Sequence, residues 1–212
     1  MKILVCFGTR PEAIKMAPVI HELMKQKFNF VVCNTAQHKE MLDQVLEFFE
    51  IKPDYNLQVM VPNQGLNNLS SAILSEFDKV LAQEKPSLVL VHGDTTTSVM
   101  AAWAAFHREI PVAHVEAGLR TYNPSAPFPE EINRQVTARL ARFHFAPTKK
   151  AKTNLKNEGI APEKIYLTGN TIVDALNFGK EKIAGIKTEE IASNLDFIYN
   201  PLKKLILVTG HR

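Results

Sequence analysis

Short apolar runs alternate with longer helical patterns along most of this chain. Several of the runs are rich in Val, Ile, Leu and Phe without strict polar alternation, which is typical of parallel strands covered on both faces. Such an alternation predicts an α/β fold with right-handed crossovers and a doubly wound parallel sheet. The predicted strands are Ile3–Phe7, Phe30–Cys33, Leu88–Val91, Val112–Val115, Phe143–Ala146 and Ile165–Leu167.

The segments between these runs carry helical patterns. Pro18 lies inside the first of them, where its missing N–H removes a backbone hydrogen bond, so we expect a kink or a break there. The predicted helices lie near Glu12–Lys25, Lys39–Phe49, Leu66–Glu84, Thr95–His107, Glu130–Ala141, Lys149–Glu158 and Thr171–Ala184. In the third, a single apolar stripe is expected to be buried, formed by Leu69, Ile73, Phe77, Val80 and Leu81.

The composition excludes several classes of protein. With 45% hydrophobic residues and a net charge of +3, the chain is not a disordered tail, and its interspersed charges give no footprint for nucleic acid. Cys6 and Cys33 each stand alone in an apolar run with no nearby partner, which excludes a disulfide scaffold. No stretch approaches the roughly 20 apolar residues that span a bilayer, and the N-terminus lacks a signal-peptide core. We therefore expect a soluble cytoplasmic protein with no membrane partner.

The length and the final residues predict the domain organisation. At roughly 100–200 residues per domain, a chain of 212 residues holds one large domain, or one domain and a fragment. We expect an N-terminal Rossmann-like domain over 1–185 and a polar linker over 186–204. The apolar run Leu205–Val208 begins a new strand pattern, so 205–212 is predicted to be the first strand and turn of a truncated C-terminal domain.

Polar residues cluster directly after the predicted strands. In an open α/β sheet, ligands bind beyond the carboxyl ends of the strands, so these residues are expected to share one edge. Helix capping explains Thr95 or Asn170 equally well, since both side chains are good caps. Capping does not explain Arg10, Asp94 or Glu116, because such residues avoid burial unless they are paired. The connections concerned are Gly8–Glu12, Thr35–His38, His92–Ser98, Glu116–Arg120 and Thr168–Thr171.

The turn after the first strand does not carry a dinucleotide fingerprint. Gly8 is its only glycine, whereas G-x-G-x-x-G brings several glycines to a pyrophosphate, and no P-loop occurs in the chain. NAD binding is therefore not expected, and no cofactor is predicted. A bound phosphate would be held by Arg10 and Lys15, unless both are solvated surface charges.

Three carboxylates are candidates for the chemistry of this edge. Asp94 and Glu116 lie at strand ends, and Glu130 follows a rigid proline-containing segment. Crowded carboxylates suit acid–base work because burial and mutual repulsion separate their pKa values. They could instead pair with Arg10, Arg120 or Arg134, bind a divalent cation, or, for Glu130, begin a helix. No residues have metal-ligand spacing, so no metal site is predicted. Beside a glycine, His211 can carry a proton near neutral pH.

Motifs spread over the whole chain resemble those of the bacterial non-hydrolysing UDP-N-acetylglucosamine 2-epimerases, in the same order. They read GTRPEAIKMAP (8–18), TAQHKEMLDQV (35–45), VHGDTTTS (91–98), HVEAGLRT (114–121), PFPEEINR (127–134), TGNTIVDA (168–175) and ILVTGHR (206–212). The resemblance implies one half of a GT-B-type fold, in which two Rossmann-like domains face a cleft.

The resemblance also implies a reaction and its residues. The family interconverts UDP-N-acetylglucosamine and UDP-N-acetylmannosamine by eliminating UDP to a 2-acetamidoglucal and adding it back on the other face. The positions that match catalytic residues are Asp94, Glu116, Glu130 and His211. Those that match substrate-contacting residues are Arg10, Lys15, Asp94, Glu116 and His211. Which carboxylate is acid or base is left open, and the isolated chain is expected to fold without epimerising.

One part of the sequence departs from the family pattern. Many members are activated by substrate at a second site that uses glutamines of the TAQH segment and an arginine soon after. Gln37 is kept, but Glu40 stands where a second glutamine often occurs, and Asn63 or Gln64 stands near the expected arginine. Substrate activation is therefore not expected. The family also implies a homodimer, with the second and third helices as candidate contacts.

Two other functions remain open. A hydrolysing relative would release UDP and free N-acetylmannosamine, although the TAQHKEML segment favours the non-hydrolysing enzyme. A silent module that dimerises or binds a nucleotide sugar is the alternative from another class. The presence of Asp94, Glu116 and Glu130 argues against it.

Overall fold

The computed structural model describes residues 1–35, 39–59, 61, 63–186, 200, 202–204, 206 and 208, without the side chains of 39–41. Its strands are β1 Lys2–Phe7, β2 Asn29–Asn34, β3 Tyr55–Asn56, β4 Leu88–His92, β5 Val112–Val115, β6 Phe143–Ala146 and β7 Ile165–Leu167. Within these residues they form one sheet in the order β3-β2-β1-β4-β5-β6-β7, and every pair is parallel. The predicted α/β class and parallel sheet are confirmed.

The helices connect these strands. They are α1 Arg10–Lys25, α2 Lys39–Phe48, α3 Leu66–Glu84, α4 Thr96–His107, α5 Glu130–Leu140, α6 Lys149–Asn157 and α7 Ile172–Ile183, with a short 3-10 helix at Pro162–Lys164. The ends of the helices and of the six predicted strands differ from the sequence prediction by at most two residues. The strand β3 was not predicted, because its two residues, Tyr55 and Asn56, do not form an apolar run.

The first helix is continuous through Pro18, so the predicted break is wrong. Thr9 and Glu12 form a capping box at its start, which satisfies backbone N–H groups that have no partner within the helix. The face of α1 that includes Met16 and Ile20 is fully buried. Since tertiary packing supplies most of the stability of a helix in a protein, this buried face offsets the one bond that proline removes.

A core cluster lies between the sheet and the α3–α4 pair. It includes Leu4, Phe77, Val89 and Ala102, all fully buried. The apolar stripe predicted on α3 is buried as expected. Burial on both faces explains why the strands read as continuous apolar runs in the sequence.

The two cysteines are neighbours in space, although they are far apart in the sequence. Cys6 of β1 and Cys33 of β2 are register partners, and both thiols are free and buried. Neither cysteine has another close to it along the chain, and the fold brings the two side by side as free thiols. Burial raises the pKa of the Cys6 thiol well above its ordinary value, and the neighbouring Cys33 raises it further. Cys6 is thus held in its protonated form.

The strand order reverses between β1 and β4. The chain winds outward from β1 through β2 to β3, then returns to pair β4 on the other side of β1 and continues to β7. This is the switch point at which open α/β sheets bind ligands. The crevice beyond the carboxyl ends of β1 and β4 is therefore where a site is expected.

The chain divides into two compact units, Met1–Ala175 and Leu176–Arg212. The first contains the whole sheet and α1 to α6, and α7 begins in it and ends in the second. The predicted linker over 186–204 and the predicted strand over 205–212 lie mostly outside the described residues, so both stay predictions. Among the helices described, none has the length and apolar character needed to span a bilayer.

Candidate active site

A partly buried ion pair joins the ends of three strands. Glu116, directly after β5, accepts from Lys15 Nζ of α1 on both carboxylate oxygens, at 2.8 Å for Oε1 and 2.7 Å for Oε2. Asn170, after β7, donates from Nδ2 to the same Oε2 at 2.7 Å. The side chains of Lys15 and Glu116 are 23% and 11% exposed, so this pair is shielded from solvent. The connections after β1, β5 and β7 therefore meet at one carboxylate.

The turn that carries Glu116 is held in place by α6. Glu116 has a φ of 62° and Gly118 a φ of 90°, both in the left-handed region. A Cβ at Gly118 would lie 2.3 Å from the carbonyl oxygen of Ala151, so only glycine fits between this turn and α6. Next in the chain, Arg120 Nε pairs with Glu158 Oε1 at 2.7 Å. These contacts fix the backbone from which the Glu116 side chain projects.

Asp94, in the connection after β4, faces one arginine and two other carboxylates. Arg134 Nε of α5 lies 3.4 Å from its Oδ2. Burial raises the pKa of Asp94, and the charges of Glu130 and Glu116 raise it further, against the opposing effects of Arg134 and Lys15. A carboxyl whose pKa is raised in this way can both take and give a proton closer to neutral pH.

The first two residues of α5 are both glutamates with different surroundings. Glu130 has a buried Oε2 with no hydrogen-bond partner among the described residues. Glu131 is fully buried and accepts the backbone N–H groups of Thr121 and Tyr122, each at 3.0 Å. Arg134 Nε lies 3.3 Å from its Oε2. Glu131 therefore anchors the loop before α5, whereas Glu130 keeps a buried oxygen that has no such partner among the described residues.

Replacing Glu131 by Gln is expected to lower the free energy of unfolding by about 1–3 kcal/mol at pH 7. The NH₂ group that replaces one carboxylate oxygen would face the buried backbone N–H of Thr121 or Tyr122, and that N–H would lose its acceptor. Burial alone would raise the pKa of Glu131, but hydrogen bonds from Thr121, Gln135 and Tyr122 outweigh it and lower the pKa. The stabilisation is therefore present above an unfolded pKa of about 4.3 and is lost as the pH falls through the lower folded pKa. Urea unfolding at pH 7 and at acidic pH measures both effects.

Glu130→Gln is the matched control, because it changes the neighbouring residue in the same helical turn. We expect its effect on stability to stay below about 1 kcal/mol, the contribution of a carboxylate at a helix N-terminus. Equal losses in the two variants would contradict the division between an anchoring and an unpartnered glutamate.

A fourth glutamate, Glu12, ties the turn after β1 to the connection after β4. Its Oε2 accepts the N–H groups of Gly8 at 3.1 Å and Thr9 at 2.8 Å, and its Oε1 accepts the Thr95 hydroxyl at 2.7 Å. Burial raises the pKa of Glu12, and these hydrogen bonds oppose part of that rise. No role was predicted for Glu12 from the sequence, although the T-x-x-E spacing of a capping box marks it.

His92, the last residue of β4, lies under the same edge. Its side chain is 4% exposed, and Nε2 lies 3.9 Å from Glu116 Oε2. Neither ring nitrogen has a hydrogen-bond partner among the described residues. Burial lowers the pKa of His92 to about 4, with Glu116 and Lys15 acting in opposite directions. The imidazole is therefore neutral at physiological pH.

Comparison with known proteins gives this arrangement a context. The family model described as UDP-N-acetylglucosamine 2-epimerase matches residues 21–212. The chain belongs to the UDP-N-acetylglucosamine 2-epimerase family. Curated members from Escherichia coli O157:H7 and Neisseria meningitidis serogroup A are 53% and 54% identical over the whole chain. The chain spans 57% of the length of each of these relatives.

Solved structures of the family share the fold. One is the UDP-GlcNAc 2-epimerase of Neisseria meningitidis bound to UDP-GlcNAc, with a TM-score of 0.86 and 54% identity over 91% of this chain and 53% of that one. Another is the Methanocaldococcus jannaschii enzyme in complex with UDP-GlcNAc and UDP, with a TM-score of 0.83 and 40% identity over 89% of this chain and 52% of that one. The predicted fold, a Rossmann-like half of a GT-B-type structure, is confirmed.

The structure describes some, but not all, of the site residues expected from the epimerase resemblance. The structure brings Lys15, Asp94, Glu116 and Glu130 to one edge, and Arg10 is exposed at the start of α1. His211, Gln37 and the side chain of Glu40 lie outside the described residues.

The sequence left open that the candidate carboxylates pair with arginines instead, and the structure shows such a pair for Asp94. Arg134 lies against Asp94, but Arg120 pairs with Glu158, and the cation on Glu116 is Lys15. Lys15 is therefore not a solvated surface charge. In the described part of the chain, no three His, Cys, Asp or Glu side chains are grouped to hold a metal ion.

Proposed function

We propose that the protein containing this chain is a non-hydrolysing UDP-N-acetylglucosamine 2-epimerase. The observation that carries the proposal is the assembly of Asp94, Glu116 and Glu130 at the switch-point edge of a chain 53% identical to a curated epimerase. The proposed reaction interconverts UDP-N-acetylglucosamine and UDP-N-acetylmannosamine through a 2-acetamidoglucal.

Carboxylates suit this chemistry for a specific reason. The C2 proton of the sugar is not acidic, because C2 is not next to a carbonyl carbon. Breaking the anomeric C–O bond first gives the ring oxocarbenium character, which makes that proton removable. Carboxylates that flank such a cation stabilise it, as in glycoside hydrolysis, and positioned acids and bases transfer the proton.

The surroundings of the three carboxylates support a division of roles. Asp94 has a raised pKa and Glu130 has a buried oxygen without a described partner, so we assign proton removal and return to these two. Both oxygens of Glu116 already accept from donors, so we assign it to stabilising the cationic ring. His211 is proposed to act on the leaving diphosphate, and Arg10 and Lys15 to contact substrate.

The test is a proton NMR assay of the full-length protein with UDP-N-acetylglucosamine in D₂O. We expect UDP-N-acetylmannosamine to appear with deuterium at C2, because the removed proton exchanges with solvent before another is returned. Accumulation of free N-acetylmannosamine with UDP would instead identify the hydrolysing enzyme. Binding of the nucleotide sugar without turnover would identify the silent module.

Other expectations from the sequence stay predictions. These are a homodimer, a cytoplasmic location, no nucleic-acid partner and no activation by substrate at a second site. The isolated chain is also predicted to fold without epimerising, since it spans 57% of the length of curated relatives.

A further inference from the structure

We propose that Asn170 is a positioning residue that fixes the direction of the Glu116 carboxylate during the reaction. This inference rests on the proposed epimerase function and assigns a role to a residue that otherwise serves as a helix cap. Asn170 lies after β7, in the connection to α7, at the edge where Glu116 and Lys15 meet.

The amide of Asn170 makes two hydrogen bonds, one as an acceptor and one as a donor. Its Oδ1 accepts the N–H of Ile172 at 3.0 Å, at the start of α7. Its Nδ2 donates to Glu116 Oε2 at 2.7 Å. Because the helix N–H needs an acceptor and the carboxylate needs a donor, the orientation of the amide follows from its two partners. The helix thereby holds the side chain so that its NH₂ group faces Glu116.

Capping of α7 does not require the NH₂ group that Asn170 directs at Glu116. A cap requires only an acceptor for the free N–H groups of the first helical turn, and Asp or Ser provides one as well as Asn. An aspartate at this position would present a negative oxygen to Glu116. A neutral amide is thus the side chain that can cap α7 and donate to the carboxylate at the same time.

Lys15 and Asn170 act differently on Glu116. The ammonium group of Lys15 contacts both oxygens, but it is a point charge on a flexible stem and imposes little direction. Asn170 is short and is anchored at its other end, so its hydrogen bond restricts rotation of the carboxylate. A charge-stabilising group must be held close to its working geometry, since small displacements are costly in rate.

The charged and titratable groups around Glu116 come from several elements. Lys15 approaches from α1, and His92 Nε2 from β4 lies 3.9 Å from Oε2. Asp94, in the connection after β4, interacts with Glu116 electrostatically. A new carboxyl at position 170 would therefore add a second negative charge directly beside Glu116.

The variant Asn170→Asp separates the two roles. It keeps an acceptor for the N–H of Ile172, so α7 stays capped, and we expect thermal unfolding close to that of the wild type at pH 5.5, where the added carboxyl is protonated. In the full-length protein we expect kcat at pH 8 to fall about 10- to 100-fold, the effect of losing a hydrogen bond to a charged group. The KM for UDP-N-acetylglucosamine should change less than about threefold, because the affected interaction acts in the transition state.

The pH dependence identifies the cause of this loss. Two adjacent carboxylates share a proton more readily than either would bind one alone. As the pH is lowered from 8 towards 5.5, the introduced carboxyl gains a proton and becomes a donor to Glu116. The ratio of wild-type to N170D kcat should therefore shrink with falling pH, which loss of a purely structural contact would not produce.

Two further variants complete the test. Asn170→Ser keeps a cap but has no donor long enough to reach Glu116, so it should lose activity without pH rescue; it also replaces N170D if that variant does not fold. Asn200→Asp is the matched control: the exposed Asn200 also accepts the N–H two residues on through Oδ1, from Leu202 at 2.9 Å, and the change should leave kcat unchanged.

The outcomes distinguish the inference from the function on which it rests. A wild-type protein that forms no UDP-N-acetylmannosamine overturns the proposed function. If the wild type is active and the kcat of both N170D and N170S equals that of the wild type at every pH, only the role of Asn170 is overturned.

Discussion

Replacing Asp94 by Asn in the full-length protein is expected to lower kcat by about 10²- to 10⁴-fold, the usual contribution of a positioned acid or base. Asparagine has nearly the same shape but cannot exchange a proton. Burial raises the pKa of Asp94, so the folded state favours its protonated form, and the stability this provides is lost as the pH rises through the folded pKa. Removing the charge should therefore raise the melting temperature at neutral pH. Steady-state kinetics and thermal unfolding measure the two effects.

Asp78→Asn is the matched control for this substitution. Asp78 is 47% exposed and pairs with Arg108 on the surface, with Oδ2 accepting from Nη2 at 2.8 Å. Because exposed pairs contribute little, kcat and stability should both stay close to wild type. The assignment of Asp94 fails if D94N retains wild-type kcat, or if D78N loses as much activity.

Replacing Gly118 by Ala is expected to lower the free energy of unfolding by about 2–5 kcal/mol, from overpacking together with a left-handed backbone. The new Cβ would lie 2.3 Å from the carbonyl oxygen of Ala151 and 2.9 Å from Leu155 Cγ, and the φ of Gly118 is 90°. The carbonyl belongs to the α6 backbone and cannot move without moving the helix. Urea unfolding of the isolated chain measures the loss.

Gly159→Ala controls for the backbone conformation alone. Gly159 has a φ of 83°, but a Cβ there would meet nothing within 4 Å. We expect a loss of about 1–2 kcal/mol from the left-handed conformation. The difference between the two variants isolates the steric conflict with α6. Equal losses would show that the close approach of Gly118 to Ala151 is not what matters.

Much of the fold could be predicted because buried segments have a recognisable pattern of apolar residues. Strands covered on both faces must be apolar throughout, so Leu88–Val91 and Val112–Val115 are visible as runs. The rule that ligands bind beyond the carboxyl ends of strands then places Asp94 and Glu116 at one edge without any coordinates. By contrast, β3 pairs through only two residues, Tyr55 and Asn56, and leaves no pattern to read.

The roles of individual polar residues could not be predicted, because they depend on contacts between distant segments. Glu130 and Glu131 are neighbours of the same type, and only the folded loop at Thr121 makes one of them an anchor. The sequence made Lys15 a candidate phosphate ligand or a surface charge, yet its partner is Glu116, one hundred and one residues away in the chain. Such pairings are decided by how the connections dock at the sheet edge.

The buried carboxylate of Glu12 has a consequence for any redesign of substrate preference. Gly8, Thr9 and Thr95 all bind this one group, so the loop preceding α1 and the loop that holds Asp94 behave as a single mechanical part. A shift introduced to accommodate a bulkier sugar near Asp94 would be transmitted to Arg10. Redesign of the proposed substrate contacts at Arg10 and Asp94 should therefore include Glu12 in the same step.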